Sequence, residues 1–146
     1  MNKKLTVFLA AMSLVCVANA EPKFSFRCQF SEGASAHIDS GRIQQRRIVE
    51  DKLEIVFDQI DKNAGTARVI GNGGAFDLSA FYFANDSLHL VEVTGAGNMV
   101  ITTVFDIKNA LEGRRSFAVH SRHNNFSRAG QGAPMPSQYY GFCLSI

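Results

Sequence analysis

Histidines and serines are the side chains of this sequence whose types and spacing could support chemistry. His120 and His123 stand three residues apart in a His-Ser-Arg-His segment, and His89 lies earlier in the chain. Histidines bind zinc, and a histidine beside a serine can act as its general base. On a regular strand, residues three apart point to opposite faces. A strand at this segment would therefore keep the two imidazoles from sharing a metal ion.

A catalytic serine needs a defined setting that the sequence does not provide. Neither Ser116 nor Ser121 lies in a Gly-x-Ser-x-Gly turn, the motif that exposes the nucleophile of many hydrolases. We therefore predict no catalytic residue, no metal ligand and no cofactor. A small histidine-dependent hydrolase or metalloprotein that uses His120, His123 and His89 stays the alternative.

His120 and Arg122 suit binding better than catalysis. Residues two apart point to the same face of a strand, and arginine is suited to carboxylate and phosphate groups. Tyr139 and Tyr140 follow a Pro-Met-Pro segment, where they would form an adaptable recognition edge or seal one mouth of a barrel. We predict His120, Arg122, Tyr139 and Tyr140 as the binding residues.

Strands are the elements that must position these residues. Apolar and polar side chains alternate with a period of two from Phe24 onward, between turns rich in Gly, Asn and Asp. The best helical segment, residues 107–112, is short. The pattern predicts an all-β fold, an antiparallel meander of eight or nine strands in a closed or nearly closed barrel, with a β-sandwich as the alternative. The predicted strands lie at residues 24–30, 34–48, 53–58, 66–70, 76–83, 88–94, 99–107, 115–123 and 138–144. The second of them is one weaker strand or a pair of short strands, interrupted at Asp39-Ser40-Gly41.

The cysteines support closure of this meander. Cys28 lies on the first predicted strand and Cys143 on the last, and these two strands are neighbours in a closed barrel. A disulfide requires Cα atoms within about 7 Å of each other, so the bridge and the closed barrel support one another. We predict a Cys28–Cys143 disulfide, with free or intermolecular thiols as the alternative.

The first twenty residues have the pattern of a secretory signal peptide. Lys3 and Lys4 precede an apolar run from Leu5 to Val17, which ends in Ala18-Asn19-Ala20. The run is too short to span a bilayer comfortably, and the small-x-small ending is typical of a signal peptidase site. We predict cleavage after Ala20, a single β-barrel domain over residues 21–146, and a periplasmic or secreted protein. An uncleaved membrane anchor or a buried helix is the alternative.

Charge excludes some partners. Lys3 and Lys4 account for the formal net charge of +2, so the remaining chain is close to neutral. Without a global positive field, we expect no nucleic-acid partner and no attraction to an anionic membrane. We also predict no stable membrane insertion of the mature chain.

Apolar residues occupy both faces of the strands between residues 76 and 105, although a simple barrel needs only one buried face. One explanation is a loop, such as residues 124–137, that lies across the outer face. The other is an exposed apolar patch for a partner or a second subunit. A homodimer is therefore a further possibility.

Three segments carry a resemblance to known proteins. Gly97–Phe105, Ala118–His123 and Pro134–Cys143 resemble parts of small, uncharacterised exported bacterial β-barrel proteins. The resemblance covers the C-terminal third and implies no functional residues. The Phe-x-Cys strand, the meander and the terminal disulfide are more broadly similar to periplasmic lysozyme-inhibitor barrels. The segment Thr94–Asn98 stands in place of their inhibitory loop but lacks its serine. Lipocalin-like binders share the meander, but this chain has no tryptophan for their Gly-x-Trp signature.

These observations together favour a binding protein. We predict a non-enzymatic periplasmic or secreted protein that recognises a small apolar ligand or a protein partner. The alternatives are the histidine-dependent hydrolase or metalloprotein and a periplasmic enzyme inhibitor.

Overall fold

Alternating apolar and polar residues build eight strands that close into one antiparallel barrel. The computed structural model describes residues 22–71, 73–124 and 134–146. Each strand pairs with the next, and the last pairs with the first. The all-β barrel predicted from the alternation is confirmed, in preference to a sandwich. The elements are β1 (Phe24–Asp39), β2 (Arg42–Asp61), β3 (Thr66–Gly71), β4 (Gly74–Tyr82), β5 (Leu88–Val93), β6 (Met99–Val104), α1 (Ile107–Leu111), β7 (Ser116–Asn124) and β8 (Met135–Ser145).

The first two strands are longer than the sequence pattern predicts. β1 has 16 residues and β2 has 20, because each strand continues through a bulge where the sequence pattern predicts a break. The pairing of β1 shifts between Phe30 and Glu32 against both of its neighbours. The extra residue lies on β1 in its pairing with β8, whereas the extra residues in the pairing of β1 with β2 lie on β2, between Val49 and Leu53. A bulge bends a strand without ending it. The expected breaks after Phe30 and after Ile48 are therefore wrong, whereas the expected interruption near Gly41 is confirmed as the turn between β1 and β2. The described chain forms eight strands, within the predicted eight or nine.

A core of apolar side chains fills one end of the barrel. Phe26, Phe30, Ile60 and Leu88 are almost fully buried, and burying such a side chain contributes about 1.5–3 kcal/mol. The short helix α1 closes this end, because its Ile107 and Ala110 are fully buried. The backbone N–H of Ile107 donates to the carbonyl of Asp86 in the β4–β5 turn. The opposite end of the barrel is open.

The barrel closes between β1 and β8. Cys28 lies directly opposite Cys143 in this pairing, and the two form a fully buried disulfide with 4.0 Å between their Cα atoms. The predicted bridge is confirmed. Gly141, two residues before Cys143, lies so close to β1 that an added Cβ would stand 2.7 Å from the Cα of Phe30 and would overlap the carbonyl oxygen of Gln29. Glycine thus permits the close approach that closure requires.

Loss of the disulfide is expected to destabilise the fold without changing its topology. The bridge joins residues separated by 115 positions, and releasing a loop of that size costs about 2–5 kcal/mol. Urea unfolding of the Cys28→Ala, Cys143→Ala double variant should show this loss. The wild-type protein should move to the same stability when a reductant is added, whereas the double variant should not respond. A reductant effect of similar size on both proteins would contradict the prediction.

Gly141→Ala is expected to lower the free energy of unfolding by about 2–3 kcal/mol, because the new methyl group meets backbone atoms that cannot rotate away. Gly95→Ala is the matched control, since an added Cβ there meets no atom within 4 Å. Thermal and urea unfolding measure both variants. Equal stabilities of the two variants would show that β1 and β8 do not approach each other so closely.

Candidate functional site

The open end of the barrel contains a cavity of about 390 Å³. Its walls are mostly apolar, and Thr102 of β6 and His120 and Arg122 of β7 converge on one side. Two further polar residues, Glu92 of β5 and Glu54 of β2, also line it. A volume of this size lies within the range of small-molecule sites, which commonly combine an apolar wall with a few placed polar groups. The apolar wall includes Ile55, Phe57, Val69, Phe76, Leu78, Leu90 and Val100.

The strand register explains why these side chains meet. Thr102 pairs with His120, and His120 pairs with Tyr139 of β8. Directly paired residues project from the same face of an antiparallel sheet, so all three point into the barrel. Arg122 lies two positions beyond His120 on β7 and points the same way. His120, Arg122 and Tyr139, predicted as binding residues, are therefore brought together.

A chain of hydrogen bonds fixes the orientation of the histidine ring. The Nε–H of Arg122 donates to Nε2 of His120 over 3.0 Å. An arginine nitrogen cannot accept a hydrogen bond, so Nε2 of His120 must be the unprotonated ring nitrogen. Nδ1 then carries the hydrogen and donates it to the hydroxyl oxygen of Thr102 over 2.8 Å. Both ring nitrogens are thus occupied.

Burial keeps this histidine neutral. Desolvation lowers the pKa of His120, and the nearby charge of Arg122 adds to this effect, so that the pKa falls to about 4. The rings of Phe30 and Tyr139 lie 5.4 and 6.0 Å from the imidazole, which accounts for its dry surroundings. At neutral pH, therefore, His120 positions its neighbours and carries no charge.

Arg122 is held by partners that leave its charge uncompensated. Its guanidinium lies over the ring of Tyr139, with 4.8 Å from Cζ to the ring centroid, and its Nε is used on neutral His120. Within residues 22–71, 73–124 and 134–146, no carboxylate forms an ion pair with it. The two terminal nitrogens of Arg122 are the groups at this site that can bind an anion.

Comparison with protein-family models, with curated proteins and with solved structures finds no match to this chain. The resemblances expected from the sequence therefore stay predictions, and the site must be interpreted from its own geometry.

Tyr140, the fourth predicted binding residue, lies away from the other three. It follows Tyr139 directly and so points out of the barrel, where its hydroxyl donates to the side-chain carbonyl of Gln138 over 3.0 Å. Thr102, in contrast, belongs to the site but was not predicted from the sequence. The alternation along β6 indicates that Thr102 points inward, with an apolar residue two positions away on each side. Its contact with His120, however, depends on the register between β6 and β7.

The residues of the alternative catalytic hypothesis are not grouped. The hydroxyl of Ser116 donates to the carbonyl of Asp106, and Ser121 accepts a hydrogen bond from Gln138 on the outer face. His89 also lies on the outer face, hydrogen bonded to Thr103. In the part of the chain that the structure describes, no three His, Cys, Asp or Glu side chains are close enough together to hold a metal ion.

The outer surface carries both ion pairs and exposed apolar side chains. Across β1–β3, ion pairs join Arg27 to Glu54 and Arg68 to Asp58. Large apolar side chains are exposed on β1 and β2 and across β4–β8, where they include Phe81, Phe105, Phe117 and Phe142. Most of the loop expected to cover them lies outside the described residues. No helix within the described ranges is long and apolar enough to cross a membrane.

The buried neutral histidine predicts a specific dependence of stability on pH. Its folded pKa of about 4 lies below the ordinary value of 6.5, so the unfolded chain binds a proton first as the pH falls. The free energy of unfolding should therefore decrease between pH 6.5 and pH 4, by about 3 kcal/mol at most.

Urea unfolding between pH 4 and pH 7 checks this prediction against a His120→Gln variant, which should lose that part of the pH dependence. His123→Gln changes an exposed histidine and should follow the wild-type curve. Parallel curves for the wild-type protein and His120→Gln would contradict the assignment of a buried, neutral imidazole.

Proposed function

We propose that the protein is a non-enzymatic binding protein that takes a small apolar ligand into the open end of its barrel. The observation that carries this proposal is the apolar cavity of about 390 Å³ beside the hydrogen-bonded group of Thr102, His120 and Arg122. Apolar walls supply affinity for a ligand, and a few fixed polar groups set its orientation.

The state of His120 supports binding over catalysis. A general base must accept a proton from a nucleophile, but Nε2 of His120 already accepts from Arg122 and Nδ1 donates to Thr102. The Thr102 hydroxyl therefore faces an N–H group and not a base. This arrangement holds side chains in place and offers no route for proton transfer.

The proposed location is the periplasm or the extracellular medium. The buried Cys28–Cys143 bridge supports it, because disulfides persist in oxidising compartments. The signal peptide and its cleavage after Ala20 lie outside the described residues and stay predictions. The protein partner and the homodimer also stay predictions, which the exposed phenylalanines of the outer face motivate.

An inhibitory role has less support. The segment Thr94–Asn98 forms a turn that is hydrogen bonded within itself, since the N–H of Thr94 donates to the carbonyl of Asn98 and the hydroxyl of Thr94 accepts from the N–H of Asn98. These bonds occupy the hydroxyl of Thr94, which is the side-chain hydroxyl that this turn offers in place of a serine.

A cavity-filling substitution tests the proposal. Val100 lines the cavity, whereas the next residue, Ile101, points to the outer face. An uncharged apolar dye, N-phenyl-1-naphthylamine, should bind the purified protein with an increase in fluorescence. Val100→Phe should weaken this binding about tenfold or more, a loss of about 1.4 kcal/mol, because the added ring occupies the cavity.

Ile101→Phe is the matched control and should bind the dye like the wild-type protein, with circular dichroism showing that both variants fold. The control also separates the cavity from the apolar outer face as the place of dye binding. Absence of dye binding by the wild-type protein, or equal binding by the two variants, would overturn the proposal.

A further inference from the structure

The mouth of the barrel carries a row of hydrogen-bond donors that the apolar cavity does not explain. The pairings run from Arg122 to Ser137 of β8, from Ser137 to Ser35 of β1, and from Ser35 to Arg46 of β2. Directly paired residues share a face, so two arginines and two serines point to the same side across four neighbouring strands. None of these four side chains forms an ion pair within the described residues.

This row lines a hollow of about 460 Å³ that shares Arg122 with the apolar cavity. Arg46 and Arg122 both line the hollow, and Arg122 lines the cavity as well. No aspartate or glutamate is found among the described residues that line it. Arg47, its third arginine, is already paired with Glu32 over 3.3 Å.

Arg122, at one end of this row, is the member whose orientation is fixed by its neighbours. Neutral His120 and the ring of Tyr139 hold its Nε and its flat face, so that its terminal nitrogens are the part left for another molecule. A guanidinium binds the two oxygens of a carboxylate or phosphate in parallel, and a preorganised one loses less conformational entropy on binding.

We propose that the ligand of this site is an amphipathic anion, whose carboxylate or phosphate monoester head is bound by Arg122 together with Ser137, Ser35 and Arg46, and whose apolar body enters the cavity. The inference rests on the proposed function and names the chemical class of its ligand. Arg122 lines both the hollow and the apolar cavity. An anionic head bound by Arg122 in the hollow therefore leaves the apolar body of the ligand in the cavity.

Glu92 defines the side of the cavity that the anion avoids. It lies on β5, pairs with Val100 of β6, and Val100 pairs with Arg122. Two strand spacings therefore separate Glu92 from Arg122, about 10 Å, and the two do not form an ion pair among the described contacts. The negative side chain and the row of donors lie on opposite sides of Arg122, so an anionic head is directed toward Arg46.

Displacement of N-phenyl-1-naphthylamine by four ten-carbon probes tests the inference. Decanoate and decyl phosphate carry the proposed heads, while decanol and decylamine supply the same chain with a neutral and a cationic head. For the wild-type protein, at least one anion should bind about tenfold or more tightly than decanol, as expected for charge-assisted hydrogen bonds. Whichever anion binds more tightly identifies the head group.

Two variants test which residues cause the preference for an anionic head group over the alcohol. Arg122→Gln should bring the anion and decanol to equal affinity, and Arg46→Gln should reduce the preference in part, by about threefold, because it removes the outer of the two charges. Arg27→Gln is the matched control, since Arg27 lies on the outer face, paired with Glu54, and should leave the preference unchanged. Circular dichroism confirms the folding of each variant.

Two results would overturn the inference while the proposed function stands: decanol binding as tightly as both anions, or an anion preference that survives in both Arg122→Gln and Arg46→Gln. Failure of the proposed function has a different signature, because the neutral dye would then not bind the cavity at all and Val100→Phe would change nothing.

Discussion

The pairing of β1 with β8 holds the barrel closed and fixes the orientation of every other strand. Because side chains alternate along each strand, a shift of one residue at this seam would exchange the inner and outer faces. The Cys28–Cys143 bridge lies within the seam, in register with its neighbours, and so it constrains register as well as closure. The inward position of His120 and Arg122, two strands from Cys28, depends on that constraint.

The two ends of the barrel differ because the residues available to fill them differ. At one end Phe26, Ile60 and Ile107 are fully buried, and a helix closes the space below them. At the other end the inward positions are occupied by Glu92, Arg122 and Arg46, which are too costly to bury without partners. Water must reach these groups, and the end where they lie therefore stays open. The cavity therefore lies at this end, because β2, β5 and β7 each place a charged residue there.

Much of the fold could be predicted from the sequence, because period-two alternation and the positions of Cys28 and Cys143 are local signals. The bulge after Phe30 could not, since it depends on how β1 fits two neighbours at once. The site was predictable only where its residues share a strand, as His120 and Arg122 do. Tyr139 and Tyr140 were placed together by their sequence, although adjacent strand residues face opposite sides. Arg46 joins Arg122 through three successive pairings that no local pattern contains.

A histidine as the partner of Arg122 orients the guanidinium without neutralising its charge, which a carboxylate would not do. A carboxylate at position 120 would form a buried ion pair with Arg122 and neutralise it, and such pairs gain little because both charges lose their water. A neutral imidazole instead accepts one hydrogen bond from Nε and leaves the positive charge in place. The low pKa of His120, about 4, is partly caused by Arg122 itself, since a second positive charge beside the first is unfavourable. The arginine therefore keeps its partner neutral, and the neutral partner keeps the arginine oriented and charged at the border of an apolar cavity.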